Sequence, residues 1–262
     1  MKKEILKRLF ICLLVLSLLS ISAYATPPVN LGAAKSFGVL GGSAVTNTGS
    51  TVINADLGIW PNGASSITGF GPIDGGPGSY TGALHAADGV ALQAQSDVTA
   101  AYDILAAMTP TLDLTGTDLG GLTLTPGVYS FSSSAQLTGQ LTLDVQNNPD
   151  AFFVFQIEST LTTASNSSVV MINAPEGFCN KYWQVGSSAT LGTDTAFIGN
   201  ILALTSITLN GGTLDGRALA RNGAVAIYAA ETITPPCVIP EPATICLLGL
   251  GVLSLLRRKR ST

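Results

Sequence analysis

Short runs in which apolar residues alternate with polar ones, or follow one another unbroken, fill most of the chain. Examples are L-T-L-T over 122–125, Q-L-T-L-D-V over 140–145, A-F-F-V-F-Q-I over 151–157 and V-V-M-I over 169–172. Runs of this length, rich in Val, Ile, Leu, Thr and Phe and bounded by Gly, Asn, Pro or Asp, predict β-strands. One segment, 82–108, follows another rule. There Leu84, Ala87, Ala91, Ala94, Val98, Ala101, Leu105 and Met108 recur at spacings of three and four, which predicts one amphipathic helix. Thr81 is the expected cap, and Thr109-Pro110 the expected stop, because proline disfavours helical geometry in its predecessor. The apolar stripe of that helix must pack on the strands, since no second helix is predicted in the body.

The last third of the body repeats itself. S-A-T-L-G at 188–192 aligns with S-I-T-L-N at 206–210 at an offset of 18, and F-I-G-N-I-L-A at 197–203 aligns with L-D-G-R-A-L-A at 214–220 at an offset of 17. So short a period is too small for a propeller blade or a helical pair, and it suits one coil of a parallel β-solenoid. In such a coil Leu191 and Leu209 stack inward, while Thr190 and Thr208 stack outward.

The two ends of the chain carry other signals. Lys2, Lys3, Lys7 and Arg8 precede and border an apolar run over 9–19, and Ala23-Tyr24-Ala25 follows, the pattern of a signal peptide over 1–25 cut by signal peptidase. At the other end Pro240, Glu241 and Pro242 precede fourteen apolar or small residues and then Arg257, Arg258, Lys259 and Arg260. Fourteen helical residues reach about 21 Å against a hydrocarbon core of about 30 Å, a weak permanent anchor. This order of motif, apolar stretch and basic end, over 240–262, resembles the PEP-CTERM sorting signal of Gram-negative bacteria. The resemblance implies a transient membrane association with the basic end on the cytoplasmic side. An exosortase would then cut near Pro240-Glu241-Pro242 and release an exported protein, secreted or held at the cell surface or in the extracellular matrix.

With the ends set aside, the body over 26–239 is acidic. The whole chain has 12 Lys and Arg against 16 Asp and Glu, but the body keeps only Lys35, Lys181, Arg217 and Arg221 against 14 acidic residues. That leaves no basic footprint for nucleic acid. Cys12 and Cys246 fall in the end segments, which leaves Cys179 and Cys237 as an expected disulfide in an oxidising compartment. No His stands beside them, so no metal site and no cofactor is expected.

The stretch from Tyr182 to Ala226, Y-W-Q-V-G-S-S-A-T-L-G-T-D-T-A-F-I-G-N-I-L-A onward through L-D-G-R-A-L-A-R-N-G-A-V-A, resembles the ice-binding-like (DUF3494) domain family. So do L-G-A-A-K-S-F-G-V-L-G-G-S-A-V-T-N-T-G at 31–49, A-D-L-G-I-W-P at 55–61 and L-T-P-G-V-Y at 124–129, so the resemblance spans the body. It implies a mainly β fold, a discontinuous right-handed parallel β-solenoid of triangular section with one long α-helix packed alongside. It also implies a non-catalytic protein that binds an ice surface.

Ser and Thr supply 44 of the 215 residues over 26–240, enough to line an outer face. A threonine offers a methyl group and a hydroxyl together, and a solenoid repeats them every strand spacing, about 4.8 Å. The candidate ice-contact columns are Thr160, Thr190 and Thr208, then Thr195 and Thr213, with Thr162, Ser188, Thr193 and Ser206 beside them; Gly192 and Asn210 interrupt one face, and Ala224 and Ala226 end it.

Two other classes compete. A matrix or adhesion protein binding extracellular polysaccharide is compatible with the same polar surface and the same sorting signal. Catalysis has little to work with: His85, in the expected helix, is the only histidine, and Asp215, Arg217 and Arg221 are more readily a pairing near a tight turn than a substrate site. The Gly-rich 69–78 segment lacks the Lys of a phosphate loop and is expected to cap an open end of the solenoid.

Overall fold

The computed structural model describes residues 29–235. The segments 1–25 and 240–262 and Cys237 lie outside the described residues. Within them the chain forms 22 short strands in two sheets, and every pairing is parallel. Each coil has three sides. Lys181–Val185 lies on the first and Ala189–Leu191 on the second. Thr195–Ala203 runs along the third, bends at Gly199 and continues onto the first side of the next coil. The strand above it, Gly212–Ala220, bends at Gly216 in the same way. The bend requires glycine: Gly199 has φ +123°, and a Cβ on Gly216 would lie 1.9 Å from the Gly199 carbonyl oxygen.

Both repeat offsets are observed as ladder registers, Leu191 opposite Leu209 and Phe197 opposite Leu214. Leu191 and Leu209 are buried and Thr190 and Thr208 point out, as the alternation predicts. The interior is a continuous apolar column. Aromatic rings stack along it from coil to coil, with Phe155 and Trp183 3.8 Å apart and Trp183 and Phe197 4.8 Å apart between ring centroids.

The stacking order departs from chain order. The second side is a seven-stranded sheet whose rows are, in spatial sequence, Ala135–Leu137, Leu161–Thr163, Ala189–Leu191, Ile207–Leu209, Val225–Ile227, Val45–Asn47 and Ile67–Thr68. The N-terminal coils therefore sit on top of the C-terminal coil, which has no open end. Ala224 and Ala226 interrupt the face without ending it. Beyond Ile67–Thr68 the 69–78 segment does cap the stack. It contains one helical turn, Gly71–Asp74, drops Phe70 into the core and is closed by the Asp74 carboxylate, which accepts from the backbone N–H of Gly69, Phe70 and Gly76.

The helix is shorter than its periodicity predicts. It spans Gly89–Ala106, and Asp88 rather than Thr81 caps it, with Oδ1 accepting from the Ala91 N–H at 2.8 Å. Residues 84–86 are instead an edge strand paired with Asp56–Ile59, because ladder bonds there outweigh two more apolar positions on a helix. His85 thus stands on that strand against the Phe37 ring, 5.5 Å between centroids. Ala91, Ala94, Val98, Ala101 and Leu105 form the buried stripe, and from Ala94 onward it packs on Leu40, Val128, Val154, Leu202 and Leu219 of the first side. Eighteen residues span about 27 Å, which with its flanking linkers returns the chain from the Leu84–Ala86 end of the stack to the Leu112–Asp113 end. The first side is therefore covered, and the second and third are open.

Candidate functional site

The seven-stranded face is the most regular surface of the molecule. Ladder registers place Gln136, Thr162, Thr190, Thr208, Ala226, Thr46 and Thr68 in one outward column, one residue per coil. Rows about 4.8 Å apart give a column about 29 Å long. None of the five threonine hydroxyls has a protein hydrogen-bond partner among the described residues. They are left to whatever lies outside.

The flanking columns, two residues to either side, differ in use. On one side stand Ser134, Thr160, Ser188, Ser206, Ala224, Ala44 and Ser66, and several of these hydroxyls bridge coils. Ser134 and Thr160 share a hydrogen bond of 2.8 Å, Ser188 Oγ accepts from the Ser206 N–H, and Ser206 Oγ accepts from the Ala224 N–H. On the other side stand Thr138, Ala164, Gly192, Asn210, Tyr228 and Thr48, with the Tyr228 ring exposed. No side chain in the three columns carries a charge.

Several expected site residues move when the register is known. Thr190 and Thr208 share a column, but their neighbour is Thr162, and Thr160 belongs with Ser188 and Ser206. Thr195 is not on a surface at all. It is buried at the corner, its hydroxyl shared with Thr163 at 2.9 Å and donated to the Gly192 carbonyl at 2.7 Å. Nor does it align with Thr213, which pairs with Ala196 and lies exposed on the third face. Thr193 is exposed in the turn leading to that face. Thr46 and Thr68 were missed because the strands bearing them precede the repeat in sequence. Their signal is present all the same, since S-I-T at 66–68 repeats the S-I-T of 206–208 and A-V at 44–45 repeats the A-V of 224–225.

The third face is less regular. Its outward column reads Gln140, Ser168, Ala196, Thr213, Thr232, Val52 and Ser79, and Asp144 and Asp215 lie beside it.

The groups considered for catalysis do not converge. Arg217 lies inside a strand, not in a tight turn, and points beneath the N-terminal segment, donating from Nε and Nη2 to the Lys35 carbonyl and from Nη1 to Asn200 Oδ1 at 2.9 Å. Burial pulls its pKa down to about 10 against the pull of Tyr182 and Asp215. Arg221 turns the other way, over the Tyr102 ring at 4.6 Å and toward Asp103 of the helix at 3.4 Å. His85 Nδ1 meets Asp88 Oδ2 at 2.8 Å, tying the edge strand to the helix cap. Each fastens helix or N-terminal segment to solenoid. Among the described residues no group of three His, Cys, Asp or Glu side chains could hold a metal ion.

Residues 39–234, three quarters of the chain and nearly all of the solenoid, match the ice-binding-like family. The chain belongs to the ice-binding-like family. It is 56% identical over 236 residues to an ice-binding protein of Nostoc sp. (strain HG1), covering 86% of this chain and 84% of that one. Solved structures of ice-binding proteins share its fold. An ice-binding protein from an Antarctic biological consortium is 45% identical with a TM-score of 0.74, over 82% of this chain and 94% of that one. An ice-binding protein from the Antarctic ascomycete Antarctomyces psychrotrophicus is 40% identical with a TM-score of 0.72, over 80% and 98%. Residues 238–260 match the PEP-CTERM protein-sorting motif, the mark of an exported, cell-surface protein processed by an exosortase.

Proposed function

We propose that this protein adsorbs to ice through the seven-stranded face, with Thr162, Thr190, Thr208, Thr46 and Thr68 as its contact column. One observation carries the reading: five threonines stand in register on parallel strands, their hydroxyls unused by the protein, in a strip with no charge. Water caged around the methyl groups and bonded to the hydroxyls is held at a fixed repeat. Such a layer joins a growing crystal without its waters having to be torn away, as they would be around an ionised group. No bond is made or broken, and no cofactor takes part. The names of the relatives agree with this reading.

The rigid backing supports it further. The strands beneath the column are stapled by ladder bonds and the aromatic stack, so the hydroxyls stay in place when water orders on them. The test compares Thr190→Tyr and Thr208→Tyr with Thr213→Tyr on the third face, measuring thermal hysteresis and crystal shape with residues 26–240. The first two abolish hysteresis and the third leaves it near the parent value. Hysteresis retained by the first two, or lost with the third alone, rejects this face. Retention on cell polysaccharide without any shaping of ice crystals supports the adhesion reading instead. The same reading has the exosortase release the body near Pro240-Glu241-Pro242 after a transient stay in the membrane; an intact peptide from beyond residue 242 in extracellular protein overturns that step.

A further inference from the structure

The described chain leaves the solenoid at the corner opposite the seven-stranded face. Its last strand, Glu231–Ile233, lies on the third face between Gly212–Ala220 and Val52–Ile53. The next residue, Thr234, accepts from the Gly216 N–H at 3.0 Å, and Asn54 Nδ2 donates to its hydroxyl at 3.0 Å. Gly216 is the bend between third and first sides, so Thr234 and Pro235 stand at that corner. In a three-sided coil the corner between two sides faces the remaining one. Here that is the seven-stranded face.

Two further features gather at the same corner. Cys179, which is disulfide-bonded, lies in the turn that joins Ser168–Ile172 on the third side to Lys181–Val185 on the first. The start of the described chain is there too, with the Tyr182 hydroxyl donating to the Val29 carbonyl at 3.2 Å. The sorting motif begins at residue 238, and a cut near Pro240-Glu241-Pro242 leaves at most seven residues after Pro235 to join the body to the surface that carries it, an extended reach of at most about 25 Å. A body held that closely by its C-terminal segment turns this corner toward its attachment.

We propose that attachment through the C-terminal segment and ice contact through the seven-stranded face take place together, so that the protein holds ice to the surface that carries it. The inference rests on the reading of the contact face given above. The expected disulfide of Cys179 with Cys237 would fix the leaving segment at this corner. Many copies displayed the same way engage one crystal at once, and the joint hold is far stronger than that of a single copy.

Streptavidin beads carrying residues 26–240 by a biotin placed after residue 240 test this, with the native disulfide kept oxidised. A second batch carries the protein by a biotin on Thr190→Cys, and a third by a biotin on Thr213→Cys. Thermal hysteresis of each free, unbiotinylated variant and of the parent is recorded alongside, with far-ultraviolet circular dichroism to show that each is folded. The expected result is at least tenfold more beads retained on ice for the C-terminal attachment than for the Thr190→Cys attachment. Free parent protein that shapes crystals while C-terminally attached beads fail to hold ice overturns the inference and leaves the contact face standing. Parent protein that does not shape crystals overturns the reading of the face, and the inference falls with it.

Discussion

Glu231 gives the solenoid a stability that falls as the medium turns neutral. Its side chain is buried where the seven-stranded and third faces meet, opposite Gly212 in the ladder, and Oε1 has no hydrogen-bond partner among the described residues. Burial pushes its pKa up to about 7, against a weaker opposite pull from the Gly211 N–H. The folded chain thus keeps a proton that the unfolded chain, with a carboxyl near 4.5, gives up. Below about pH 4.5 both forms are protonated and nothing is lost. Between about 4.5 and 7 stability falls by about 1.4 kcal/mol per pH unit, about 3 kcal/mol in all, and above 7 the loss levels off. For a body of this size that is a fall in Tm of about 6–12 °C. Urea unfolding from pH 4 to 8 reads it directly, with Glu231→Gln as the comparison, since the amide cannot ionise. The slope between pH 4.5 and 7 should be largely absent in the variant, whatever its absolute stability. Equal slopes in the two proteins would refute the assignment.

Other consequences are quicker to check. At the acid end, Asp74 and Asp88 are held below the usual carboxylate range, chiefly by the Gly69 and Ala91 N–H groups, so they support the fold above about pH 4 and that support fades as pH drops further. Together with Glu231 this puts the stability maximum near pH 4 to 5 in the same titration. Leu209→Ala, at a fully buried position under the threonine column, costs about 2–5 kcal/mol in urea unfolding. Ala226→Thr fills the one gap between Thr208 and Thr46 and raises hysteresis at fixed concentration; a value at or below the parent argues that the two parts of the column act separately. Replacing Cys179 and Cys237 by Ser removes a long loop closure worth roughly 4 kcal/mol, lowering Tm but leaving ice shaping intact below it. Free thiols at both positions in exported protein would contradict the pairing.

Local pattern made much of this legible. The 18- and 17-residue offsets became ladder registers because the coils from Lys181 onward stack in chain order, each over the one before. Where stacking and chain order part company, pattern alone misled. Ala224 and Ala226 look like the end of the face only if nothing follows Val225–Ile227, whereas Val45–Asn47 does, brought there from 180 residues earlier. The helix start failed for a related reason: Leu84 fits the apolar stripe, but a vacant ladder beside Asp56–Ile59 offered its backbone a better use. Thr195 alternates like a surface residue, yet at a corner the period of two is reset and its hydroxyl turns inward to Thr163.

The discontinuity also changes what the disulfide is for. A final coil with one bare edge would fray unless tied, which is a reason to expect a bond at Cys237. Here Glu231–Ile233 is paired on both edges, with Gly212–Leu214 below and Val52–Ile53 above, and the outer ends of the stack are closed elsewhere by Phe70 at one end and Leu119 at the other. The last coil is therefore already held, and a bond at Cys179 adds nothing to its ladder. What it can fix is the direction in which the segment beyond Pro235 departs. If so, Cys179→Ser should speed hydrogen exchange in Glu231–Ile233 by no more than the lost loop closure speeds it throughout the core, with a larger increase confined to residues after 235. Exchange that speeds up more through Gly212–Ala220 than in the rest of the core would instead show the bond bracing the coil itself.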